Sequence, residues 1–177
     1  MLMPRQKTPN LDLPLVGGGR FDLSKDFGQK GTILSFYRGL HCPVCATHLR
    51  ELSGLLPEFA ERGVSAIAIS SDGAERAADM AEKVGGDLPF AYDLPLDEAR
   101  DWGLYISTSR GKTSIGIEEP ALFSEPGLFL VQPDRALFYM SVQTMPFVRP
   151  SFKELLGAVK FAQDKSYPAR GEYQGAV

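Results

Sequence analysis

The sequence predicts an α/β domain with a central mixed sheet flanked by helices. Two apolar, β-branched runs are each followed by a helical pattern, which is typical of parallel strands joined by helices. Later in the chain, two further apolar runs flank a short turn segment and predict a β-hairpin. A last amphipathic pattern closes the series, so the predicted order is strand, helix, strand, helix, hairpin, helix.

Length and composition agree with one domain of this kind. The chain has 177 residues, of which 44% are hydrophobic and 23% charged, and this length can bury a full core. We predict a single domain over residues 1–177, with tails at 1–8 and 166–177. With 19 Lys plus Arg against 22 Asp plus Glu, the formal net charge is −3, so we expect no nucleic acid partner.

The N-terminal third predicts three elements. A Pro- and Gly-rich opening to about Lys30 has short apolar alternations on both sides of three glycines, which indicates a small hairpin extension. The run Thr32–Tyr37 lies between glycines and predicts a central buried strand. From Pro43 onward, apolar residues recur at spacings of three and four, which predicts a helix closed by Gly63.

The middle of the chain repeats this pattern. Val64–Ser70 predicts a second strand, and Asp72–Glu75 predicts a capping box at the start of a helix that runs to about Val84. A short strand over Leu88–Tyr92 and a short helix over Leu96–Gly103 follow. Residues 104–124 favour neither helix nor strand.

The C-terminal third contains the clearest hairpin, formed by Leu128–Val131 and Ala136–Met140. Ser151 then caps a last helix. We expect its apolar face to consist of Phe152, Leu155, Leu156, Val159 and Phe161. This order of elements, with the hairpin extension at the N-terminus, is that of the thioredoxin fold.

The two cysteines of the chain, Cys42 and Cys45, lie three positions apart between the predicted central strand and the first helix. The dipole and the free amide groups of a helix N-terminus stabilise a thiolate. Pro43 suits the first helical position, where its missing N–H costs nothing. Two sulfurs one turn apart can cycle between dithiol and disulfide without a change of fold. The pair therefore predicts thiol redox chemistry, for which we expect no cofactor.

The N-terminal residues and the hydropathy of the chain predict a cytoplasmic location. No apolar stretch follows the first basic residues, and no run approaches the roughly 20 residues of a membrane-spanning helix. We therefore expect no membrane partner. In a reducing compartment, a close cysteine pair is more often catalytic, redox-active or metal-binding than a permanent bridge.

Residues 36–50 resemble the active sites of known redox proteins. The Cys-Pro-Val-Cys motif at 42–45 resembles that of thioredoxins and glutaredoxins. The whole stretch resembles the peroxiredoxin-like branch of the alkyl hydroperoxide reductase and thiol-specific antioxidant family, and the resemblance covers residues 9–165. It implies an antioxidant thiol oxidoreductase that reduces hydroperoxides or disulfides and is itself reduced by a dithiol protein or glutathione. A homodimer is an expectation from the family alone.

The chain departs from the peroxiredoxin signature, which is a proline, three residues, a threonine or serine, two residues and the peroxidatic cysteine. In that register Arg38 replaces the proline, Cys42 replaces the threonine, and Cys45 is the peroxidatic residue. A second similarity at 125–129 puts Pro126 where the family has its active-site arginine. A proline there is a thioredoxin-like feature, usually cis and beside the disulfide, although an ordinary turn proline is the alternative.

The two resemblances assign the attacking thiol differently. In the thioredoxin-like register Cys42 attacks and Cys45 resolves. In the peroxiredoxin-like register Cys45 attacks and forms a sulfenic acid, which Cys42 captures. Protein dithiol-disulfide exchange without peroxidase activity stays open beside peroxide reduction.

The residues around the cysteines allow alternative roles. Arg38 either contacts the thiolate or forms a structural ion pair, and His41 either lowers a thiol pKa as an imidazolium or faces solvent. His48 is expected on the helix surface or as a space filler. A metal-binding or regulatory module would instead use His41, Cys42, Cys45 and His48 as ligands. Structural zinc sites usually draw their ligands from two separated segments, so we expect no metal.

Overall fold

A five-stranded mixed sheet forms the centre of the computed structural model, which describes residues 2–176. In chain order the elements are β1 (Asp12–Pro14), β2 (Arg20–Asp22), β3 (Gly31–Phe36), α1 (Pro43–Glu61), β4 (Val64–Ile69), α2 (Ala74–Val84), β5 (Phe90–Ala91), α3 (Leu96–Asp101), β6 (Ile106–Thr108), β7 (Leu122–Ser124), β8 (Gly127–Val131), β9 (Leu137–Val142) and α4 (Phe152–Asp164). The central sheet has the order β5-β4-β3-β8-β9. Strand β4 is parallel to β3 and β5, whereas β8 is antiparallel to β3 and β9. The predicted mixed sheet and N-terminal hairpin are thereby confirmed.

Strand β3 is the middle of the sheet because both of its faces are covered. Every residue of this strand is buried. Alternation along the strand sends Ile33 into a core shared with α1, α2 and α4, and sends Leu34 and Phe36 to the opposite face. There Phe36 packs against Trp102 and Phe129, with ring centroids 5.5 and 5.4 Å apart. Burial on both faces explains the unbroken apolar run in the sequence.

The segment between β3 and α1 is fixed by Asp72, which follows β4. The sequence predicts a capping box here, but Gly73 is the N-cap of α2 and no side chain caps that helix. The buried Asp72 carboxylate instead accepts the Leu40 backbone N–H at 2.7 Å and Nε of Arg76 at 3.0 Å. Two partners, one of them cationic, outweigh a local cap. Asp72 therefore holds the loop that leads to Cys42.

Two further expectations change in the structure. The segment without a clear period contains the antiparallel pair β6–β7. Phe161 is 57% exposed, although the other four residues expected on the apolar face of α4 are buried. Phe161 lies two residues beyond Val159, which is about 200° around the helix and therefore on the opposite side.

Both predicted tails contact the rest of the chain. Residues 5–8 run beside β9 through backbone hydrogen bonds. The side chain of Arg5 reaches the carbonyl of Ala169 at 2.9 Å. Met1 and Val177, the ends of the two predicted tails, lie outside the described residues. The single domain over 1–177 stays a prediction.

Among residues 2–176, no helix combines the length and the apolar character that crossing a bilayer requires.

Gly39 is expected to be required next to Asp72. It has φ of +138°, and a Cβ there would lie 2.8 Å from Oδ2 of Asp72. We expect Gly39→Ala to lower the free energy of unfolding by about 1–3 kcal/mol, because alanine is strained in this backbone region. Urea unfolding followed by the fluorescence of Trp102 measures this change.

The matched control is Gly54→Ala in α1, where a Cβ meets nothing within 4 Å. Alanine favours a helix interior, so this variant should raise the free energy of unfolding by about 0.5–1 kcal/mol. Equal effects of the two substitutions would contradict the assigned constraint at Gly39.

Candidate active site

Cys42 is the N-cap residue of α1, with Pro43 directly after it. The sulfur of Cys42 accepts a hydrogen bond from the backbone N–H of Cys45 at 3.3 Å. An acceptor at this position takes up one of the free amide groups of the first turn, and the helix dipole favours a negative charge on it. The cysteine pair thus lies at the strand-to-helix boundary that the sequence predicts.

Cys45 lies one turn further along α1 and is fully buried. Its sulfur accepts the backbone N–H of Arg38 at 3.4 Å. Both cysteines are free thiols, and Cys42 retains only 2% exposure. Neither sulfur is therefore open to a large reactant in this conformation.

Arg149 supplies a positive charge to both sulfurs. Its Nη2 lies 3.1 Å from Sγ of Cys45 and 3.7 Å from Sγ of Cys42. Its Nε donates to the carbonyl of Pro146 at 2.7 Å, which fixes the guanidinium plane. No motif or spacing in the sequence indicates this contact. The only available signal was an arginine in a proline-flanked loop before a helix.

The side chain of Arg38 forms ion pairs with two glutamates. Its Nε lies 3.2 Å from Glu125 and its Nη2 lies 3.4 Å from Glu119. The guanidinium also lies over the ring of Phe123, 4.7 Å from the centroid. Of the two roles open for this residue, the structure shows the ion pair. Only the backbone N–H of Arg38 contacts a sulfur, that of Cys45.

The two histidines are engaged by the protein. His41 is fully buried, and burial followed by the charge of Arg38 lowers its pKa to about 4. His41 is therefore neutral at neutral pH, so both the expected imidazolium and the expected solvent-facing position are wrong. Nε2 of His48 lies 2.8 Å from the carbonyl oxygen of Pro150, and its ring stacks on Phe152 at 4.2 Å. His48 thus fills the space between α1 and α4.

The geometry does not support the alternative of a metal centre. Within residues 2–176, no three His, Cys, Asp or Glu side chains are arranged to hold a metal ion. Nδ1 of His41 contacts Nη2 of Arg76 at 3.3 Å, and His48 is bound to a backbone carbonyl. One ring nitrogen of each histidine therefore already has a protein partner.

Pro126 is buried directly before β8. The described residues contain no cis peptide bond, so the expected cis form is wrong and the bond before Pro126 is trans. The chain continues the strand pairing on both sides: the N–H of Glu125 donates to the carbonyl of Tyr105 at 2.7 Å, and that of Gln143 donates to the carbonyl of Pro126 at 3.0 Å. The backbone around Pro126 is therefore extended and continues the strand pairing.

The two thiols have opposite pKa shifts. The pKa of Cys42 is lowered to about 6, first by a hydrogen bond from the Cys45 thiol, and further by the backbone N–H of Cys45 and the charges of Arg149 and Arg38. Burial raises the pKa of Cys45 well above its usual value, and the hydrogen bond to Cys42 raises it further. At neutral pH the negative charge is therefore on Cys42 and the proton on Cys45.

A cleft of about 850 Å³ lies beside Cys42. Arg38, His41 and Cys42 contribute to its floor, whereas Cys45 is absent from the described residues that line it. Part of the wall comes from the segment between β6 and β7, and part from the loop before α4. A reactant that enters this cleft meets the sulfur of Cys42 first.

A dithiol at a helix N-terminus, beside the central strand of a thioredoxin-type sheet, defines a protein built for thiol redox chemistry. Residues 4–140 match the AhpC/TSA family, so the chain belongs to that family. The predicted family resemblance, to the peroxiredoxin-like branch, is confirmed.

The similar proteins include a thiol-disulfide oxidoreductase and a thioredoxin peroxidase. The chain is 31% identical over 106 residues to the thiol-disulfide oxidoreductase ResA of Bacillus thuringiensis, covering 60% of this chain and 56% of ResA. It is 27% identical over 158 residues to a thioredoxin peroxidase of Fasciola hepatica, covering 84% and 75% of the two chains. The chain thus matches little more than half the length of ResA.

Solved structures show the same fold. The peroxidoxin BcpB of Mycobacterium tuberculosis has a TM-score of 0.71 at 22% identity, covering 91% of this chain and 98% of that one. A mutant of peroxiredoxin 6 of Arenicola marina has a TM-score of 0.77 at 20% identity, covering 100% and 82%.

We expect Arg149→Met to raise the pKa of Cys42 above its value of about 6. The substitution removes a positive charge that favours the thiolate and leaves a side chain of similar length. Ultraviolet absorbance of the thiolate, followed against pH, measures the shift. Arg50→Met is the matched control, because Arg50 lies exposed on α1 and binds the carbonyl of Lys83. Identical titration midpoints in wild type and Arg149→Met would contradict the assignment.

Proposed function

We propose that this chain is a thiol oxidoreductase that reduces hydroperoxides through Cys42 and Cys45, with Cys42 as the attacking thiol. One observation carries the proposal: Cys42 lines the cleft as the N-cap residue of α1, whereas Cys45 is fully buried behind it. The lowered pKa of Cys42 supports the same assignment. Of the two registers left open by the sequence, this is the thioredoxin-like one.

The reaction then has two steps on the protein. The Cys42 thiolate attacks the terminal oxygen of the hydroperoxide, the O–O bond breaks, and Cys42 becomes a sulfenic acid while the leaving alkoxide takes a proton from solvent. The Cys45 thiol next attacks the sulfenic sulfur, which forms the disulfide and releases water. The hydroperoxide is reduced to an alcohol and water, and the dithiol is oxidised. Glutathione reduces the disulfide and closes the cycle, or a dithiol protein does so once the first turn of α1 or the loop before α4 moves.

Three other residues support these steps. Arg149 stabilises the thiolate and the charge that develops at the sulfur, because its Nη2 lies 3.7 Å from Sγ of Cys42. The backbone N–H of Arg38 holds the sulfur of Cys45 in place, and Pro43 starts the helix directly after Cys42. Pro126 has a structural role at the start of β8.

Limited access favours a hydroperoxide over a protein disulfide as the oxidant. Cys42 retains 2% exposure, so a folded protein cannot bring its disulfide into line with the sulfur in this conformation. A small hydroperoxide fits the cleft of about 850 Å³. The cytoplasmic location and the homodimer stay predictions beside this proposal.

The second candidate function is protein dithiol-disulfide exchange. The spacing of the two cysteines and the 31% identity to ResA favour it. In this reaction the Cys42 thiolate attacks a disulfide of another protein, and Cys45 releases the mixed disulfide. It requires the first turn of α1 or the loop before α4 to move.

Single cysteine variants test which thiol attacks. We expect Cys45→Ser to accumulate a Cys42 sulfenic acid with hydrogen peroxide, because the resolving thiol is missing. Cys42→Ser should react at least about tenfold more slowly, because the remaining thiol is buried and protonated. Mass spectrometry with a sulfenic-acid trapping reagent measures both rates.

Wild-type protein is the control and should form an intramolecular disulfide without a trapped adduct. A fast adduct on Cys45 in the Cys42→Ser variant would reverse the roles of the two thiols. Wild-type protein that ignores peroxide but reduces the disulfides of insulin would overturn the peroxidase proposal and support exchange.

A further inference from the structure

His41 is held in one tautomer next to Cys42. Its Nδ1 lies 3.3 Å from Nη2 of Arg76. A guanidinium can only donate hydrogen bonds, so Nδ1 is the acceptor and the proton of the neutral ring is on Nε2. Arg76 is itself fixed, because its Nε donates to the Asp72 carboxylate at 3.0 Å and its Nη1 donates to the carbonyl of Glu118 at 3.3 Å.

The Nε2–H group of His41 has no hydrogen-bond partner among residues 2–176, although the ring is fully buried. Buried N–H groups in folded proteins are nearly always paired. The ring is also constrained on its sides, by Arg76 at Nδ1 and by an edge-on contact with Phe123 at 4.7 Å between centroids. An unpaired donor kept in this fixed orientation indicates an acceptor on a bound molecule.

His41 and Cys42 are consecutive residues and line the same cleft. Arg149 and the backbone N–H of Arg38 donate to the sulfur atoms. The donor of His41 has no such partner in the described chain. A molecule whose reacting oxygen reaches the Cys42 sulfur therefore occupies the cleft that His41 also lines.

We propose that His41 is a catalytic residue that donates a hydrogen bond from Nε2 to the leaving oxygen of the hydroperoxide. The inference rests on the proposed function. As Cys42 attacks and the O–O bond breaks, the electron pair moves onto the leaving oxygen, and the hydrogen bond stabilises that charge. His41 keeps its proton throughout, and solvent protonates the alkoxide.

A neutral histidine suits this role better than a charged one. An imidazolium beside Cys42 would pair with the thiolate and occupy the donor before substrate arrives. The pKa of His41, lowered to about 4 by burial and by Arg38, prevents this pairing at neutral pH.

The test separates attack on oxygen from the general reactivity of the thiolate. His41→Phe keeps a ring and removes the donor, whereas His41→Gln keeps an N–H at the end of the side chain. We expect His41→Phe to lower the rate constant with peroxide at least about tenfold, and to leave alkylation by iodoacetamide within about twofold of wild type. Alkylation uses the same thiolate but releases iodide instead of an oxygen. His41→Gln should recover part of the rate with peroxide.

Each outcome of this test either supports or overturns the proposed role of His41. Equal losses in both reactions, or an unchanged rate with peroxide, would assign His41 a structural role and overturn the inference while leaving the proposed function intact. Wild-type protein that is alkylated but does not react with peroxide would overturn the proposed function and this inference with it. His41→Leu, a smaller replacement that also lacks the donor, decides in the same way if the phenylalanine disturbs folding.

Discussion

The hydrogen bond from the backbone N–H of Cys45 to the sulfur of Cys42 is the interaction on which the site depends. It makes Cys42 the cap of α1. Together with the hydrogen bond from the Cys45 thiol and the burial of Cys45, it favours charge on Cys42 and the proton on Cys45. The bond forms only if the preceding loop delivers Cys42 at the correct angle. Asp72 provides this by holding the Leu40 N–H at 2.7 Å, and the close approach of its carboxylate requires the glycine at position 39. The chemistry of α1 therefore depends on a carboxylate at the end of the neighbouring strand.

The charges around the sulfurs are divided between two arginines. Arg38 is paired with the carboxylates of Glu119 and Glu125, so its charge is shared with two acids. Arg149 has no carboxylate among its described contacts and reaches both sulfurs. A cation without a competing carboxylate favours the thiolate more strongly than one shared with two acids. The arginine that is adjacent in sequence thus shapes the cleft, and the distant one stabilises the thiolate.

Local sequence patterns predict the part of the site that consists of consecutive residues. The apolar run of β3 and the helical period from Pro43 fix where both thiols lie, because strand end and helix start follow from neighbouring side chains. Arg149 contacts Cys45 across 104 residues of sequence, and Asp72 contacts Leu40 across 32 residues. Hydrophobic periodicity in the sequence does not reveal contacts of this kind. The same limit applies to His41, whose pKa is lowered by burial and by Arg38, and to Pro126, whose backbone follows the strand pairing.

Helix α1 organises the cation as well as the thiols. His48 lies one turn beyond Cys45, and residues at this spacing share one side of a helix. Its ring stacks on Phe152 at the start of α4, and its Nε2 lies 2.8 Å from the carbonyl oxygen of Pro150, the residue after Arg149. The loop that carries Arg149 is therefore anchored to the same helix that carries both sulfurs. This anchor keeps the guanidinium of Arg149 within 3.1 Å of the Cys45 sulfur and 3.7 Å of the Cys42 sulfur.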